Sequence, residues 1–168
     1  MRTFDECRSY VDHLIAEHRR LHRMLRAAGN AIMPACGTGR IIIGADIVQV
    51  LREVREELEH HFAQEDAGGC LEEAVSCCPA LSAEARRIEA EHPRLLEDTD
   101  RLIAQAQDCD HSVAKRIGLE RGFEDLCRQL DAHEAAENAL LRRGLGANIN
   151  GDDHTPATYG PTKSMFDA

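Results

Sequence analysis

Every long helical period in this chain puts a histidine where an apolar residue belongs, and two of them add a glutamate one turn later. The paired spacings are His61-x-x-x-Glu65 and His133-x-x-x-Glu137. Residues four apart share one face of a helix, and in both cases that face is the apolar one. Four segments carry such a stripe, with apolar residues at alternating steps of three and four. The first runs from about Phe4 to Gly29 behind a Thr3/Glu6 capping pattern and reads Tyr10, Leu14, His18, Leu21, Leu25. The second begins near Asp46 and reads Leu51, Val54, Leu58, His61, Glu65. Ser82 opens the third, which reads Ala85, Ile88, His92, Leu95, Thr99. The fourth, from about Ser112 to Arg143, reads Val113, Ile117, Glu120, Phe123, Leu126, Leu130, His133, Glu137.

Turn-forming residues separate the stripes: Met33-Pro34 through Gly44, Ala67-Gly68-Gly69 through Cys78-Pro79, and Gln107 to His111. In an antiparallel helix pair, residues at one height lie equally far from the connecting turn. The midpoint between His18 and the His61/Glu65 pair falls near Arg40. From that pair to His92 it falls at Cys77 and Cys78, and from His92 to the His133/Glu137 pair near Val113. All three midpoints lie on or beside a break. The expected fold is therefore all-α, an up-down-up-down four-helix bundle over residues 1–145 with the histidines at one level. The stretch 146–168 has turn-forming composition and no period, and reads as an irregular C-terminal tail.

Composition narrows the function classes. Aromatics make up 4% of the 168 residues and Trp is absent, which suits helices and not strands. A formal charge of −10 argues against nucleic acid and against an anionic membrane surface. No apolar run is long enough to span a bilayer, and the N-terminal MRTFDECRSY has no signal-peptide core. Seven cysteines without a C-x-x-C point to a reduced cytoplasm. Cys77-Cys78-Pro79 with Cys70 matches no zinc spacing and reads as structural.

Four imidazoles and two carboxylates in one core layer demand a partner. A buried polar group without one costs about 1–3 kcal/mol, and an ion more. A domain stable by only about 5–15 kcal/mol does not carry six such losses. Metal coordination satisfies them together, and carboxylates with imidazoles and no thiolate favour iron, or less readily manganese, over structural zinc.

The residues that carry this layer resemble a known family. EHRRLHRML around His18, HHFAQED around His61 and Glu65, AEHPRLLED around His92, and AHEAAENALL around His133 and Glu137 are similar to hemerythrin-like, HHE cation-binding domains. The resemblance covers roughly Asp5 to Arg143. It implies a non-heme di-iron centre, with His18 and His61 on one iron, His92 and His133 on the other. Glu65 and Glu137 would bridge both, an oxo, hydroxo or water species completing the cluster. Oxygen-carrying members use a fifth histidine one turn along the third helix. Here the positions one turn either side of His92 are Ile88 and Leu96, so the site is more open than a dedicated carrier's.

Two residues are candidate replacements, His22 one turn after His18 and Glu91 beside His92. The plainer readings are a surface histidine for His22 and a solvated charge or a hydrogen bond to a ligand imidazole for Glu91. His60 points away from His61 toward solvent, His13, His111 and His154 read as exposed, and Tyr10 reads as core packing. The leading function is a di-iron protein that binds or turns over dioxygen, hydrogen peroxide or nitric oxide. The alternative is an iron or redox sensor, or an iron-handling protein, whose fold depends on metal. A third is a metal-free bundle that binds a partner helix. No nucleophile–base set, phosphate loop or dinucleotide fingerprint is present, so any catalysis would be the metal's.

Overall fold

In the computed structural model the described residues, 4–33, 44–67, 69–109 and 112–146, are helical with no strand among them. Thr3, the break over 34–43, His111 and the tail from 147 on, with His154, lie outside them, as do the side chains of Tyr10 and Cys70. The helices are α1 (Phe4–Ile32), α2 (Gly44–Asp66), α3 (Cys70–Cys77), α4 (Ser82–Glu89), α5 (His92–Gln107) and α6 (Val113–Leu145), with a 3-10 turn at Pro79–Leu81. The long helices close a ring: α1 packs on α2, α2 on α5, α5 on α6 and α6 on α1. None of the helices described is long and apolar enough to cross a membrane.

The structure differs from the sequence reading in three places. First, the second break contains a helix. Cys70–Cys77 forms two turns between Gly69 and Cys78, burying Leu71 and Ala74. Its brevity and its flanking Gly and Pro hide a period that is present. Second, the third stripe is two helices. Pro93 lacks an N–H and disfavours a helical residue before it, so α4 ends at Glu89 and α5 starts afresh at His92. Ala90 and Glu91 stay in right-handed conformation, and the Glu91 N–H bonds to Ile88 O at 2.9 Å. The register survives, and Ile88, His92 and Leu95 are all buried. Third, Val113 and Ile117 are not core. They are 62% and 38% exposed, because the buried period of α6 begins at Leu119, two residues out of phase with Ile117.

Two apolar cores result. The larger joins α1, α2, α5 and α6 through Leu25, Leu51, Leu58, Phe123 and Leu126. The smaller joins the start of α1, the short α3 and α4, and the end of α6 through Leu14, Ala74, Ile88, Leu140 and Leu141. Here α3 lies hard against α6: a Cβ on Gly144 would sit 2.5 Å from Ala74 Cβ and 2.8 Å from its Cα. Gly146, with φ of 61°, ends α6 in the left-handed region that favours glycine.

Candidate metal centre

Between the two cores lies one polar layer. His18 follows Leu14 and precedes Leu21, His92 lies between Ile88 and Leu95, and His133 and Glu137 lie between Leu130 and Leu140; all of these are buried. The α2 pair, His61 and Glu65, enters the same layer beside Phe62. Each polar residue lies on the same helical stripe as buried apolar residues. Burying the stripe therefore buries the ligands.

All six stripe residues converge. His18, His61, Glu65 and Glu137 place one ligand atom each within 4.8 Å of one another, and Glu65, His92, His133 and Glu137 do the same. Either group can hold a metal ion. Both glutamates belong to both groups, and they divide their oxygens between them. Glu65 Oε1 lies 3.2 Å from His61 Nε2 and its Oε2 lies 3.3 Å from His92 Nε2. Glu137 Oε2 lies 3.5 Å from His18 Nε2 and its Oε1 lies 3.4 Å from His133 Nε2. That is the disposition a bridging carboxylate needs. His18 Nε2 and His61 Nε2 also lie 3.2 Å apart, within hydrogen-bond distance. Phe62 floors the layer, stacked on His92 at 4.3 Å with ring planes 4° apart.

The chemistry of this donor set fits a cation. Glu65 Oε2, both Glu137 oxygens, His92 Nε2 and His133 Nε2 are buried without an aligned hydrogen bond among the described residues. Burial pushes Glu65 up to about 11, and the Glu137 charge adds to it. Burial acts on Glu137 in the same sense, but His133 and His18 outweigh it and hold Glu137 well below the ordinary carboxylate range. His61 and His92 are lowered by burial, then by His18 and His133 respectively. In His18 and His133 the burial penalty is overcome by Glu137, with Glu134 assisting at His18 and Glu91 at His133. A cation entering the layer would compete with the proton that burial favours on Glu65.

The two extra candidates face outward. Glu91 accepts a hydrogen bond from His133 Nδ1 at 2.9 Å. His22 Nε2 donates to Glu134 at 2.8 Å, and neither residue belongs to the two convergent groups. His13 and His60 are exposed, meeting Gln64, and His13 also meets Glu17. Ile88 packs in the smaller core and Leu96 against the larger one, so neither flank of His92 offers a fifth ligand.

Three residues were not singled out from the sequence. Glu17 accepts from His61 Nδ1 at 3.4 Å, Asp66 from His92 Nδ1 at 3.0 Å, and Glu134 Oε2 lies 4.0 Å from His18 Nδ1. Burial raises Glu134, but His22 and then His18 outweigh it and lower it overall. A signal did exist: each of these acids, like Glu91, is the immediate sequence neighbour of an inner residue. Compared with protein-family models, curated proteins and solved structures, the chain matches none.

Proposed function

We propose that this chain is a hemerythrin-like protein, an up-down-up-down four-helix bundle that holds two iron ions in the cytoplasm and binds or processes a small ligand. The ligand class is dioxygen, hydrogen peroxide or nitric oxide. One observation carries the reading: two acids, each turning one oxygen to each of two histidine pairs, in a buried layer where five of the inward atoms have no hydrogen bond among the described residues. Manganese suits the same donors but follows iron in affinity for imidazole-bearing sites.

Bound iron would supply ligand exchange and one-electron chemistry. The chain's own part is geometry and exclusion of water. His18 with His61 and His92 with His133 present Nε2, while Glu65 and Glu137 supply the shared anionic oxygens. Phe62 and the leucines of the larger core close the layer on one side, and Ile88 and Leu140 on the other. With no fifth histidine beside His92, the donor set is sparser than a dedicated carrier's, which leaves room for an exchangeable ligand. Cys77, Cys78 and Cys127 are thiols outside any disulfide, in keeping with a reducing compartment.

Metal analysis with optical spectra under nitrogen, oxygen, peroxide and nitric oxide tests this. The expected result is about two irons per chain and a visible band that changes with at least one of the gases or with peroxide. Iron-loaded protein that neither changes its spectrum nor consumes peroxide would defeat the ligand-handling part. His61→Ala and Glu137→Ala should each lower iron content, and full loading in both would remove the assigned layer.

The position of the layer also favours a second reading, an iron or redox sensor or iron-handling protein. A polar layer that separates two cores couples fold to occupancy. That reading predicts a large loss of helicity on chelation. A metal-free protein as helical and protease-resistant as the loaded one counts against it.

A further inference from the structure

The outward nitrogens of the four histidines are not left to water. His61 on α2 meets Glu17 of α1, and His92 on α5 meets Asp66 of α2. His133 on α6 meets Glu91 at the start of α5, and His18 on α1 faces Glu134 of α6. Each acid thus serves the histidine of the next helix in the ring, and the last returns to the first. Each is also one residue from an inner ligand of its own helix, about 100° away around the axis. One rotation of each helix therefore sets two contacts, an inner one toward the layer and an outer one toward the neighbour.

We propose that Glu17, Asp66, Glu91 and Glu134 are positioning residues for the metal centre, a closed ring in which every helix orients the imidazole offered by the next. This rests on the metal reading above. An acceptor on Nδ1 holds the proton there, leaves Nε2 free to coordinate, and fixes the plane of the ring. The ring is graded. Glu91 and Asp66 stand at 2.9 Å and 3.0 Å, Glu17 at 3.4 Å, and Glu134 at 4.0 Å with its near oxygen already taken by His22. The grip on His92 and His133 is therefore tighter than that on His61 and His18. The strong pair is also the exposed pair: the Asp66 and Glu91 side chains are 56% and 44% exposed, so replacing them leaves no cavity.

Cobalt(II) titration of the full chain tests the ring, reading affinity against a chelator and the visible ligand-field bands at saturation. Asp66→Ala and Glu91→Ala should each weaken cobalt binding by about 10–100-fold and shift the bands. Glu17→Ala should lose less and Glu134→Ala least. Asp66→Asn and Glu91→Gln keep an acceptor without the charge, and should recover part of the affinity and the parent spectrum. The metal-free thermal midpoints of the Asp66 and Glu91 variants should match the parent's. Glu56→Gln and Glu97→Gln, at exposed acids on α2 and α5, serve as charge controls and should change neither reading. Parent-like affinity and bands in Asp66→Ala and Glu91→Ala overturn the ring while leaving the metal reading intact. So do losses as large in the amide variants or in the charge controls, which would reduce the effect to bulk charge. A parent protein that binds no cobalt overturns the metal reading and the ring with it.

Discussion

The two cores on either side of the polar layer are built on different terms. The larger one draws on long helices that meet over several turns, with Leu25, Leu51, Leu58 and Phe123 fully buried. The smaller one depends on α3 and α4, eight residues each, clamped against the ends of α1 and α6. Helices that short are marginal alone, since isolated helices below about 12–15 residues barely form in water. Their order is borrowed from packing against α1, α6 and each other. The contrast teaches where stability and where sensitivity reside. It predicts that the larger core sets whether the chain folds, and that the smaller core is the first to loosen.

Four substitutions would break or sharpen that contrast. Phe123→Ala empties the middle of the larger core and should lower global stability by about 3–5 kcal/mol, read by denaturant melts. A cost near zero there would mean that the larger core is not the foundation. Gly144→Ala drives a methyl into the Ala74 backbone. It should cost about 1–3 kcal/mol and speed amide exchange in α3 while α2 stays protected. Uniform loss of protection across α2 and α3 would join the two cores into one unit.

The third is electrostatic and concerns the metal-free protein. Glu65 holds its proton up to about 11 in the folded layer, against an ordinary value near 4.5. The stability tied to that proton is fully present below the ordinary value and is lost as pH rises toward the folded one. The decline from Glu65 therefore falls across that window, with rising pH. Glu137 works in the opposite sense: its contribution is present above the ordinary value and is lost as pH falls toward its depressed one. Glu65→Gln, neutral at every pH, should flatten the decline above pH 5 in chelator-treated protein while abolishing metal uptake. A slope identical to the parent's would show that Glu65 ionises freely. The smallest effect is expected at Ile117. Because it is exposed and out of phase with the buried stripe, Ile117→Ala should change stability by no more than about 0.5 kcal/mol.

The inner layer was legible because burial in a helix obeys a period, and the period treats a ligand as it treats a leucine. His18, His61, Glu65, His92, His133 and Glu137 are all found by asking which polar residues stand where Leu or Ile should. The outer acids obey no such test. Glu17 and Asp66 look in sequence like any solvated charge, and only the rotation of the adjoining helix turns them toward a histidine. Glu134 is buried, yet nothing in its own helical face announces it, because its partner His22 lies over a hundred residues away. For the same reason His22 and Glu91 read as possible extra ligands, when their contacts run to Glu134 and to the back of His133. The joint at Ala90 and Glu91 was foreshadowed by Pro93, but a continuous stripe across it masked the signal.

The division of Glu65 and Glu137 between two histidine pairs has a consequence for how the centre fills. A first cation, on either side, would compete with the proton that burial favours on Glu65. A second would find that acid already ionised and shared. That would spare the second cation the displacement of the proton, set against the repulsion of an ion already bound close by. Two facing acids, each divided in this way, tie the two positions together, since an occupant of either would share both carboxylates with the other.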